Sequence, residues 1–113
     1  MIKLKSIIFE ENENDVWRKD WLKRYRAKFD DKGRLIAYHG TTRKNARLIK
    51  QSGFRPHSYF SLDPNYSRSI ASTYHDVPED KVVVFEVHLP LDAVDFVASD
   101  IFSTRLIKFE EVI

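Results

Sequence analysis

Tyr38-His39-Gly40-Thr41-Thr42, then Gly53-Phe54, then Tyr59-Phe60-Ser61 punctuate a segment running to Tyr74 from which the architecture can be read. Leu35-Ile36-Ala37-Tyr38 predicts a short buried strand that runs straight into His39, Gly40 and two hydroxyl residues. Backbone N–H groups and side-chain donors are uncovered together there, which suits a polar ligand. From about Asn45 to Gln51 the spacing is helical. Ala46, Ile49 and Leu48 share one side, and Arg43, Lys44, Arg47 and Lys50 the other. Gly53 closes this helix as a C-terminal cap. Ser58-Tyr59-Phe60-Ser61-Leu62 predicts a second short strand, and Asp63-Pro64 starts a second helix over roughly Asn65 to Tyr74.

Working outward, Ile2 to Phe9 alternates in part and predicts a strand, followed by a polar turn from Glu10 to Asn14. Asp15 is placed to cap a helix carrying Trp17, Trp21, Leu22, Tyr25 and Phe29 at spacings of three and four. Rings on one face predict core packing, with base stacking or partner binding as the other reading. Asp30-Asp31-Lys32-Gly33 is a turn. Past Tyr74 the chain loops around Pro78. Lys81 to Leu89 is the clearest strand, and Pro90-Leu91-Asp92 breaks it. A short strand or turn at Val94-Asp95-Phe96-Val97 and a last strand from Ser103 to Ile113 complete the chain. The pattern predicts an α+β fold with a mixed or antiparallel sheet and helices packed on it. It contains no Gly-rich phosphate loop or dinucleotide fingerprint, which argues against a doubly wound nucleotide fold.

The 113 residues predict one domain with one core and one site. The absence of cysteine excludes disulfides and thiolate metal sites and fits a reducing cytoplasm. Met1-Ile2-Lys3-Leu4-Lys5 opens no apolar run long enough for a signal peptide or membrane span, so a soluble, cytoplasmic monomer is expected. Four scattered histidines lack ligand spacing, so no metal is expected. The net charge of +2 hides an uneven layout, with twelve Lys or Arg against four Asp or Glu between Asp15 and Lys50. Such a segment is either the solvated face of two helices or a basic surface for an anionic ligand or nucleic acid.

Taken in order, Tyr38-His39-Gly40-Thr41, the helix ending at Gly53-Phe54, Tyr59-Phe60-Ser61, the helix ending Ala71-Ser72-Thr73-Tyr74 and Val83-Val84-Phe85-Glu86-Val87 resemble the core of the ADP-ribosyltransferase superfamily. The resemblance includes the poly-ADP-ribose polymerase catalytic domain and the small rifamycin ADP-ribosyltransferases. The resemblance covers residues 35–113 and leaves 1–34 as an N-terminal extension with a strand and an aromatic helix. It implies split β-sheets with flanking helices and an NAD site in the cleft between them. By the same resemblance His39 holds the adenosine ribose, Gly40 and Thr41 bring backbone donors to the nicotinamide amide, Tyr59 stacks on the nicotinamide ring, Tyr74 supplies a second aromatic, and Ser61 lines the pocket.

Those residue types suit the chemistry. Breaking the nicotinamide–ribose bond of NAD develops positive charge on the ribose, so the site must hold a flat leaving ring, fix hydroxyls and present a carboxylate. Many members carry a glutamate at the head of a late strand, yet the matching Ser103-Thr104-Arg105 has no acid. Rifamycin-modifying relatives use an aspartate shortly after the strand equivalent to Val82 to Val87, which selects Asp95, with Asp92 as the near alternative and Glu86 as a weaker one. The expected function is an NAD-dependent mono-ADP-ribosyltransferase of phage or bacterial type, releasing nicotinamide and acting on a protein, nucleic-acid or small-molecule acceptor. An RNA 2'-phosphotransferase, with Arg55 and Arg68 as phosphate ligands, and an inactive binding module of the same fold are the rival readings.

Overall fold

The computed structural model describes residues 13–112, with side chains from residue 16 onward. Its first sheet rests on the two longest strands, β2 (Leu35–Thr42) and β4 (Val82–Leu89). They pair antiparallel end to end, Leu35 opposite Leu89 and Thr42 opposite Val82. β-Branched residues at Val82, Val83, Val84 and Val87 favour this extended pairing. The two-residue β1 (Lys28–Phe29) adds to the other edge of β2, giving the order β1-β2-β4.

Asp30 organises the β1–β2 turn. One carboxylate oxygen accepts from the Lys32 and Arg34 amides at 2.9 and 2.8 Å; the other accepts from Arg34 Nε and His88 Nδ1, both at 2.8 Å. Burial works to raise the Asp30 pKa, but the donors from Arg34, His88 and Lys32 outweigh it and hold the carboxyl well below the usual range.

The second sheet has the order β3-β6-β5, from β3 (Tyr59–Phe60), β5 (Val94–Val97) and β6 (Asp100–Ser103), again antiparallel. One single-residue bridge, Tyr38 with Ser61, links the first sheet to the end of β3, and a second, Phe54 with Ile107, lies outside both sheets. Tyr38 and Ser61 exchange amide-to-carbonyl bonds of 2.8 and 2.9 Å, and Phe54 and Ile107 bonds of 2.7 and 2.9 Å. Phe54, Phe60 and Phe85 fill the space between them. Phe54 meets the other two edge-on at 5.2 and 6.0 Å. Leu22, Leu35, Leu89, Ile101 and Ile107 belong to the same buried cluster.

Four α-helices flank the sheets among the described residues: α1 (Glu13–Lys23), α2 (Arg43–Ser52), α3 (Pro64–His75) and α4 (Phe109–Val112). Thr42 caps α2 by accepting from the Asn45 amide at 3.2 Å, and Gly53 ends it at φ 83°. Asp63 caps α3 with Pro64 in the first turn. Helix α3 lies directly on β2. A Cβ at Gly40 would stand 2.4 Å from the Ser67 carbonyl oxygen, so glycine is required by the close approach. Arg68 donates to the carbonyls of Glu79 and Val82 at 3.0 Å each and ties the helix to the start of β4.

The antiparallel alternative holds: all strand pairing among the described residues is antiparallel, with β2 and β3 in different sheets. Other expectations are corrected. The aromatic helix stops at Lys23 rather than carrying Phe29, because Arg24 to Arg26 form a turn with Arg26 at φ 64° and Phe29 joins β1. Of its apolar side chains only Leu22 is fully buried, and Trp17 remains 60% exposed. The final strand ends at Ser103. Ile107 makes one bridge, and α4 follows, its first turn secured by Glu111 accepting from the Lys108 amide at 2.8 Å. The short strand at Val94–Val97 is present. The strand expected over Ile2 to Phe9 lies outside the described residues. No described helix is long and apolar enough to cross a membrane.

Candidate functional site

His39 from the first sheet and Tyr59 from the second meet where the sheets diverge. His39 Nδ1 lies 2.7 Å from the Tyr59 carbonyl oxygen. A carbonyl only accepts, so Nδ1 carries the proton, and in the neutral ring Nε2 is left as an acceptor. Burial holds the imidazole below its ordinary value, opposed by the bond to Tyr59 and reinforced by His75 nearby. The ring stays in place edge-on to Phe54 at 5.2 Å and tilted against Phe60 at 5.5 Å. Nε2 has no partner among the described residues, and no buried side-chain nitrogen or oxygen lacks one, so Nε2 is open to the cleft.

That cleft has a volume of about 530 Å³. Tyr59 and Phe102 form one wall, with their rings 5.6 Å apart. Tyr66, Ile70 and Tyr74, one turn apart in succession on α3, form the facing wall. Asp100 sits at its edge and accepts from the Tyr59 hydroxyl at 2.7 Å. Burial raises the Tyr59 pKa, and Asp100 and then Tyr66 raise it further, so the phenol stays protonated as a donor. A second hollow of about 410 Å³ adjoins the first, sharing His39, Tyr74 and His75 and lined also by Asn45 and Arg55.

The expected site residues divide. His39, Gly40, Tyr59 and Tyr74 all line the cleft. Gly40 also serves helix packing, as shown above, and Tyr74 is 82% exposed at the rim, edge-on to His75 at 5.0 Å. Thr41 is buried and lines the second hollow instead. Ser61 does not line the cleft. It is buried at the sheet junction, 2.6 Å from the Ser67 hydroxyl, which itself reaches the Tyr38 carbonyl at 2.9 Å.

The carboxylates are placed differently from expectation. Asp95 lies outside the cleft lining and pairs with Arg18 at 2.9 Å, its side chain 74% exposed. Asp92 is exposed on the helical turn Leu91–Ala93, and Glu86 reaches only the Tyr38 hydroxyl and His88, each at 3.4 Å. The acid that does reach the cleft, Asp100, opens β6. Asp100 to Ser103 alternates half-buried, buried, exposed, buried, and a carboxylate at the first position of such a run was the available signal. Tyr66 was a second omission, four residues before Ile70 on the same helix face.

Arg68 is engaged with the Glu79 and Val82 carbonyls, whereas Arg55 stands exposed at the second hollow. No group of three or more metal-ligating side chains clusters among the described residues. The assembly can grip a flat ring between aromatic walls, accept a hydrogen bond from a ligand hydroxyl at His39 Nε2, and offer one carboxylate beside them. A scan against protein-family models finds no match for this sequence, and neither does a search of curated proteins.

Proposed function

We propose that the protein is an NAD-dependent ADP-ribosyltransferase whose acid is Asp100 rather than Asp95. The observation that carries this reading is the joint at His39 and Tyr59. The His39 ring, from one sheet, donates to the Tyr59 backbone carbonyl of the other at 2.7 Å, so that residues twenty apart in sequence line one cleft with a carboxylate.

The residues present fit the dinucleotide. Its two halves need two linked hollows, and the lobes of about 530 and 410 Å³ join at His39. Tyr59 and Tyr66 are the residues to hold the nicotinamide ring. His39 Nε2 accepts from a ribose hydroxyl, and Arg55 and Asn45 offer donors for the phosphates in the second lobe. NAD supplies the ADP-ribose group, with positive charge developing on its ribose as the bond to nicotinamide breaks. Asp100 provides the opposing charge, fixed by the Tyr59 hydroxyl at 2.7 Å so that little reorganisation is needed.

Incubation with NAD labelled in the nicotinamide ring tests this. The expected result is release of free nicotinamide by the wild-type chain and its loss in Tyr59→Ala and His39→Ala. A folded wild-type chain that neither binds nor cleaves NAD ends the proposal. The RNA 2'-phosphotransferase reading is disfavoured because Arg68, one of its two phosphate ligands, is committed to backbone carbonyls.

A further inference from the structure

Helix α1 carries a surface that the NAD site leaves unused. Trp17 is 60% exposed, yet its ring is stacked on Trp21 at 6.0 Å and 17° and on Phe96 at 6.2 Å and 24°. The series continues from Trp21 to Tyr25 at 5.9 Å, and the Arg24 guanidinium covers Trp21 at 5.2 Å. Arg18 fixes the platform against the second sheet by donating to the Leu91 and Val94 carbonyls at 2.8 and 2.6 Å and to Asp95 at 2.9 Å. A ring held this firmly between two others and still 60% exposed presents aromatic surface to something outside the domain.

The platform leads to the cleft. Tyr25 and Arg26 line a trough together with Tyr66 and Ser99. Tyr66 also lines the cleft, and Ser99 immediately precedes Asp100, so one surface runs from Trp17 to the proposed catalytic acid. Arg26 lines the trough and Arg24 lies over Trp21, and both, like Lys23 and Lys28 beside them in sequence, are exposed and without an ion pair among the described residues. Asp20 is the one acid between Trp17 and Phe29, and Asp63 stands in the trough as the cap of α3. Flat aromatic faces interleaved with unpaired cations suit a chain of planar rings joined by phosphates, whatever its sequence. An acidic peptide would satisfy the cations but leave the rings uncovered.

We propose that the acceptor is a single-stranded nucleic acid seated on Trp17, Arg24 and Tyr25 and led through the Tyr25–Arg26–Tyr66–Ser99 trough to Asp100. This rests on the ADP-ribosyltransferase reading above. In the transfer, an acceptor oxygen or nitrogen bonds to the ribose carbon, nicotinamide departs with the electron pair of the broken bond, and the acceptor's proton passes to Asp100.

The test uses the full chain and fluorescein-labelled oligothymidylate and oligouridylate of about 12 nucleotides, a length within single-strand site sizes. Binding is followed by anisotropy between about 50 and 200 mM salt, since phosphate contacts weaken steeply over that range. Expected are binding that falls with salt, about tenfold weaker binding in Trp17→Ala and in Arg24→Glu, and binding within twofold of wild type in Arg47→Glu on α2. Circular dichroism confirms folding, and nicotinamide release is measured in each variant. Absence of oligonucleotide binding at low salt overturns the proposal, as does unchanged affinity in Trp17→Ala or Arg24→Glu, or loss confined to Arg47→Glu. A chain that releases nicotinamide but binds no oligonucleotide refutes the acceptor alone; one that binds oligonucleotide without releasing nicotinamide in any variant refutes the NAD reading.

Discussion

The two sheets are built to opposite specifications. β2 and β4 pair over eight residues each and contribute only His39 and Gly40 to the cleft, whereas the second sheet has strands of two and four residues and contributes Tyr59, Asp100 and Phe102. The long pair is stabilised by its own ladder. The short strands depend on the core beneath them, into which Phe60 of β3 and Ile101 of β6 pack beside Phe54. The polar and aromatic lining that the sheets give the cleft thus comes mainly from the sheet with the weaker local preference, held in place by the one with the stronger.

The first way to break that contrast is Phe54→Ala. Phe54 touches His39, Phe60 and Phe85, so both sheets lose a common support, and a destabilisation of about 3–5 kcal/mol is expected in chemical denaturation. A loss below roughly 1 kcal/mol would mean that the sheets are stable independently. Next, Asp100→Asn should lower nicotinamide release at least about a hundredfold with folding intact, the size found when one preorganised electrostatic group is removed. Unchanged turnover would remove Asp100 from its role.

Gly40→Ala tests the first sheet instead. Its Cβ meets the Ser67 carbonyl, so about 1–3 kcal/mol of stability should be lost as α3 is pushed off β2. The pH dependence is smaller. The folded state resists protonation of His39, while the unfolded chain takes the proton near the ordinary value of 6.5. This contribution to stability is therefore complete above pH 6.5 and declines as pH falls from there through the lower folded pKa. Thermal melts should show an acid-side decline that His39→Gln reduces; an identical profile in that variant would rule it out. The smallest effect is expected for Asp95→Asn, whose exposed ion pair with Arg18 should cost no more than about 1 kcal/mol and leave nicotinamide release near wild type.

The contrast between sheets also explains what could be read in advance. β2, β4, the cap at Gly53 and the start of α3 at Asp63-Pro64 were legible because long alternation and Gly or Pro punctuation carry strong local signals. The missed boundaries fall at left-handed residues that are not glycine. Arg26 at φ 64° ends the run after α1, and Ala98 at φ 54° turns β5 into β6. Neither residue type marks a turn, so the helix was carried to Phe29 and the last strand was started at Ser103 instead of Asp100. Asp100 goes unmarked for the same reason: without the Ala98 turn, it is one more residue of an unpatterned stretch. His39 stands out at the end of an apolar run and Tyr59 through the family resemblance, but their contact comes from the junction of two sheets, which no local pattern encodes.

Arg18 gives the first third of the described chain an importance out of proportion to its length. Its guanidinium satisfies two carbonyls, of Leu91 and Val94, and Leu22 one turn on is wholly enclosed in the core. Trimming the protein back to residue 35 would strip the lid from the second sheet's far edge and open a Leu-sized hole beneath it. A minimal fragment without that segment is expected to be insoluble, and absence of nicotinamide release from such a fragment would reflect collapse of the scaffold under Asp100.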